Sequence, residues 1–141
     1  MNGYRVKRPK EYDELLNLLK DKDLGVFSTL KSALVFAAAI GFKKKLRLEF
    51  SESAEPIVFT LFNELTERPF IYSLALTEFN DVSYLQEDGF EDMMKVFEEY
   101  AAGGLRYLDS TLDKANVKES IEGILNERDD HDLITDIATD W

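Results

Sequence analysis

The sequence has no cysteine, one histidine, one tryptophan and three prolines among its 141 residues. Without cysteine there is no disulfide framework, no thiolate nucleophile and no sulfur-ligated zinc, and such a chain suits a reducing cytoplasm. No uninterrupted apolar run approaches the roughly 20 residues that a membrane span needs, and the first residues are polar and basic, unlike a signal peptide. We therefore expect a cytoplasmic protein with no membrane partner. What is present is an ordinary globular composition: 45% hydrophobic and 12% aromatic residues are too many for wholesale disorder. At this length one domain, or one domain with a tail, is expected.

The net charge of −11 is unevenly spread. Residues 1–47 hold eleven bases and five acids, a net of +6, so residues 48–141 carry −17. Two parts of opposite sign meet different partners, or each other, unless the acidic helices are simply well solvated.

Tyr4, Arg5, Val6, Lys7 and Arg8 alternate as a short half-buried strand does, and Pro9 ends it. Tyr12, Leu15, Leu16 and Leu19 then form one apolar stripe of a helix. Ser28 or Thr29 can cap a second helix over residues 29–40, because their hydroxyls accept from unpaired N–H groups of its first turn. That helix is apolar on nearly every side and rich in alanine, which suits either a central core helix or a subunit interface. Gly41 reads as its left-handed stop, with Lys43, Lys44 and Lys45 at the negative end of the dipole. Residues 46–50 alternate as a second strand, residues 57–65 are ambiguous, and residues 69–79 read as a helix started by Pro69. From Phe90 to Leu112 a three-or-four spacing of apolar residues marks a long helix, which Gly103-Gly104 is expected to kink or break. A last amphipathic helix carries Val117, Ile121, Ile124 and Leu125. The organisation expected is a basic strand-helix-helix segment (1–50), an acidic helical segment (56–128) packed on it as one domain, and an acidic tail (129–141).

Catalytic signals are sparse. His131 sits in Asp129-Asp130-His131-Asp132, and four consecutive residues on a regular element cannot converge on one metal ion, so a solvated acidic turn is the preferred reading. No Gly-rich phosphate loop precedes a Lys-Ser/Thr pair. No lysine has an acid two residues before it, as metal-dependent nucleases often do. Glu98-Glu99 and Glu91-Asp92 read as the solvated face of the long helix. No catalytic residue, cofactor or metal is assigned.

Binding is better supported. A basic strand followed by two helices resembles the ribbon-helix-helix DNA-binding module, in which paired strands enter the major groove and the second helix start holds a phosphate. That resemblance implies nucleic-acid contact by Arg5, Lys7, Arg8, Ser28, Thr29 and Lys31; the alternative is a solvated basic arm before an ordinary helix. Three ordered segments carry a closer resemblance: Arg5-Val6-Lys7-Arg8-Pro9-Lys10, the alanine-rich run from Leu30 to Lys43, and Phe-Glu-Glu-Tyr-Ala-Ala-Gly-Gly-Leu from Phe97 to Leu105. Together they resemble the dnd system-associated protein 4 family of bacteria. The resemblance implies a role beside DNA phosphorothioation, in which a backbone oxygen is replaced by sulfur and an associated system restricts unmodified DNA. It brings no active site with it.

The reading is a mainly α (α+β) fold with short N-terminal strands. The function expected is that of a non-enzymatic accessory or adaptor of phosphorothioation-dependent defence, with proteins of the modification or restriction machinery, and DNA, as partners. The alternatives are a metal-dependent hydrolase and a protein-interaction module unrelated to DNA. A twofold dimer would pair the short first strand and cover the alanine-rich helix. Internal packing by the long helix and by residues 46–50 would serve equally.

Overall fold

The computed structural model describes residues 3–80 and 89–126. The tail with His131 and Trp141 lies outside the described residues. The fold is mainly helical, with one two-stranded antiparallel pair: β1 (Arg5–Val6), α1 (Asp13–Leu19), α2 (Leu30–Lys44), β2 (Ile57–Val58), α3 (Glu67–Phe79), α4 (Phe90–Thr111) and α5 (Val117–Asn126). Single 3-10 turns precede α1 (Lys10–Tyr12) and follow β2 (Phe59–Leu61). Among the described residues no helix is long and apolar enough to cross a membrane.

The strand alternation survives folding: Val6 is buried while Arg5 and Lys7 are exposed. Arg5 pairs with Val58 and Val6 with Ile57, and a further bridge joins Pro9 to Ser53. Residues 46–50, expected as a second strand and one of the two candidate partners of the first, form no strand. Their backbone is drawn elsewhere, with the Leu46 N–H donating to the Gly41 carbonyl (2.8 Å) and the Leu48 N–H to the Glu99 carbonyl (3.0 Å). β1 thus finds its partner within the chain, at β2, about ten residues beyond the internal candidate.

Helix α2 is the centre of the molecule. Thr29 caps it, its hydroxyl oxygen accepting from the Ser32 N–H at 3.2 Å. Ala33, Leu34, Ala37, Ala38, Ala39 and Ile40 are all buried, chiefly beneath α4. The two needs that a dimer would meet, a strand partner and a cover for α2, are both met within one chain. The helix passes Gly41 without stopping and ends at Lys45, which adopts the left-handed conformation (φ 57°, ψ 41°).

Glycine is required at 41, 103 and 104 by close approach. A Cβ on Gly41 would lie 2.0 Å from the Tyr100 carbonyl oxygen, one on Gly104 1.7 Å from that of Ala37, and one on Gly103 1.9 Å from that of Leu46. The expected break in the long helix does not occur: α4 runs unbroken from Phe90 to Thr111. The intrinsic cost of two interior glycines, roughly 2 kcal/mol against alanine, is offset by a helix crossing that no Cβ would permit.

Candidate functional site

A concavity of about 660 Å³ opens where β1, β2 and the start of α2 converge. Four cations line it, Arg5, Arg8, Lys20 and Lys31, with Glu55 the one acid, beside the apolar Leu30, Pro56, Ile57, Val58 and Leu61. Ser28 and Thr29 line it from the N-terminal end of α2. The local reasons are visible in sequence. Alternation in β1 turns Arg5 outward opposite buried Val6, the Thr29 cap fixes where α2 begins, and α1 ends at Leu19 so that Lys20 follows among the lining residues.

The four cations differ in availability. Arg8 is 6% exposed; its Nε donates to the Glu55 carbonyl (2.9 Å) and its Nη1 to Asp13, so it ties the chain after β1 to α1 and to the loop before β2. Lys31 is paired with Glu67 at 2.6 Å. Arg5 and Lys20 are exposed and make no ion pair among the described residues. They are the charges most free to meet an anion.

The structure therefore brings together five of the six residues singled out in the sequence: Arg5, Arg8, Ser28, Thr29 and Lys31. Lys7 lies apart from them. It follows the end of β1, where its backbone N–H donates to Glu98, and lines a second concavity of about 560 Å³ shared with Tyr4, Glu91, Lys95, Glu98 and Glu99. Lys20 was missed. It lies distant in sequence from the other cations of the groove, and only the turn between α1 and α2 carries it to them.

The second concavity overturns one expectation. Glu91 and Asp92 are exposed, but Glu98 and Glu99 are only 5% and 6% exposed, because β1 and residues 46–51 cover that side of α4. Both acids are satisfied. Glu98 accepts from the Tyr4 hydroxyl (2.9 Å) and the Lys7 backbone N–H (2.8 Å), while Glu99 accepts from Arg47 Nε (2.7 Å). Arg47 also pairs with Glu78, to which the Tyr100 hydroxyl donates at 3.0 Å. Burial raises the Glu98 carboxyl above the usual carboxylate range, against the opposing pull of those two hydrogen bonds, and burial beside Glu98 raises the Tyr4 hydroxyl likewise. These groups fasten β1 and residues 46–48 to α4. Among the described residues no three acids or histidines are grouped so as to hold a metal ion.

A family model described as DNA sulphur modification system-associated protein 4 matches residues 5–139. No curated protein and no solved structure matches the chain.

Proposed function

Because the chain belongs to the DNA sulphur modification system-associated protein 4 family, we propose that it serves that system by holding a DNA phosphate backbone in the groove between β1 and the start of α2. Within the system we read it as a non-enzymatic accessory protein. The observation that carries the DNA reading is the convergence of Arg5, Lys20, Arg8 and Lys31 on one concavity in a protein whose net charge is −11. In such a molecule the overall field repels DNA, so contact depends on a local patch. The N–H groups at the start of α2, beside Ser28 and Thr29, add donors and the positive end of a helix dipole.

The strand-helix-helix order supports a ribbon-helix-helix-like use of this groove, with Arg5 on the strand and Ser28, Thr29 and Lys31 toward phosphate. With β1 paired to β2, this version needs only one chain. The strongly acidic remainder of the surface is left for proteins of the modification or restriction machinery, in the cytoplasm where the DNA lies.

The test is a titration of a fluorescently labelled duplex at low salt. Wild type and Lys7→Ala should bind alike, and Arg5→Ala with Lys20→Ala should bind far more weakly. No binding by wild type at low salt, or equal binding by the double variant, overturns the reading.

A further inference from the structure

The groove holds more than an ordinary phosphate needs. Beside its cations lie Leu30, Pro56, Ile57, Val58 and Leu61. The turn after β2 buries Phe59 and Phe62 in the core and leaves Leu61 between them, 63% exposed. A lone exposed leucine is commonplace, but this one lines the same concavity as Arg5 and Lys20, which make no ion pair among the described residues. Arg5 and Val58 are register partners in the antiparallel pair and both line the groove, so a cation and an apolar side chain stand side by side there, about 5 Å apart at Cβ. A phosphate oxygen gains nothing from the apolar member of that pair. It is strongly hydrated, and pressing it against a side chain that offers no donor costs free energy. The group that suits both members carries a negative charge and, on the same phosphorus, an atom that gives up water readily. Sulfur in place of one non-bridging oxygen has that character: it is more polarisable than oxygen and a weaker hydrogen-bond acceptor, and the diester keeps its charge.

We infer that the groove prefers a DNA phosphodiester bearing sulfur at a non-bridging position to the same diester bearing oxygen, with Arg5 and Lys20 holding the charge and Leu61 and Val58 receiving the sulfur. This rests on the DNA reading above and names the chemical form of the backbone that the groove takes. The match to a family associated with DNA sulphur modification makes such a backbone one that this protein would meet.

The test compares a labelled duplex with sulfur at every linkage of one strand and the same duplex with oxygen throughout, each titrated at low salt. Wild type should bind the sulfur duplex severalfold more tightly. Leu61→Ser changes an exposed position and should leave far-ultraviolet circular dichroism unchanged. It should bind the oxygen duplex as wild type does and lose most of the preference, and Val58→Thr, which keeps the shape and adds a hydroxyl, should lower the preference too. Arg5→Ala with Lys20→Ala should weaken binding of both duplexes. Rising salt should weaken both together and leave their ratio standing, because apolar contact is not screened. Equal binding of the two duplexes by wild type overturns the sulfur preference and leaves the phosphate reading intact, whereas binding of neither overturns both. A preference retained in full by Leu61→Ser and by Val58→Thr, or one that vanishes with salt, overturns the assignment of the sulfur to this apolar surface.

Discussion

Gly104→Ala isolates the contact on which the whole arrangement rests. In an exposed helix interior this substitution is stabilising, by about 1 kcal/mol, because alanine has the better helix propensity. Here the new Cβ would lie 1.7 Å from the Ala37 carbonyl oxygen and 2.6 Å from its carbon, and both belong to backbone in the centre of α2. No side-chain rotation relieves such a clash. Restoring ordinary contact requires α2 and α4 to separate by about 1.5 Å along their closest line, which loosens every apolar contact between them. Overpacking of this kind costs about 3 kcal/mol, the upper end of the usual range. For a chain of this size that lowers Tm by roughly 10 °C. Gly123→Ala is the matched control. Gly123 lies in α5 with nothing within 4 Å of where a Cβ would lie, so the same chemical change should stabilise there. Thermal and urea unfolding of the two variants should thus move in opposite directions. A neutral or stabilising Gly104→Ala would refute the crossing.

Three further predictions concern the groups that fasten the N-terminal part. Because burial raises the Glu98 carboxyl in the folded chain, the folded state binds its proton more readily than the unfolded one. Wild-type stability should therefore fall as pH rises from the ordinary carboxylate range through that raised value; in Glu98→Gln the unfolding midpoint should lack this loss, and parallel profiles would count against it. Arg8→Ala leaves the Glu55 carbonyl and Asp13 without their partner and should cost about 3 kcal/mol in denaturant unfolding, whereas exposed Arg5→Ala should stay within about 0.5 kcal/mol of wild type. Ala37→Glu places a charge beneath α4 and should give an unfolded chain by circular dichroism; a folded variant of reduced mass in light scattering would instead place Ala37 at a subunit interface.

Local patterns carried much of the fold into the sequence. The alternation around Val6, the stripe from Tyr12 to Leu19, the Thr29 cap and the long spacing from Phe90 onward depend on neighbours within a turn or two, and each corresponds to an element of the structure. What was illegible depends on residues far away. Gly103-Gly104 reads as a weak point until Ala37 and Leu46 are known to lie against it. Glu98 and Glu99 read as solvated because the pattern of α4 does not reveal that β1 and residues 46–51 fold over them. The pairing of β1 with β2 is not legible either: residues 46–50 alternate and residues 57–65 read as ambiguous, and the choice between short segments depends on tertiary packing. At the candidate site, the strand and the cap point to the face where Arg5, Ser28, Thr29 and Lys31 meet, but the separation of Lys7 from that groove and the arrival of Lys20 in it follow only from the tertiary fold.

The most direct measurement is the salt dependence of duplex binding, compared between wild type and the Arg5→Ala, Lys20→Ala double variant. Each phosphate neutralised contributes about −0.9 to the slope of log K against log salt, so losing two contacts should flatten the slope by about 2. Lys7→Ala, which lies outside the groove, should leave it unchanged. A double variant whose slope equals that of wild type would contradict the assignment of the groove as the phosphate contact.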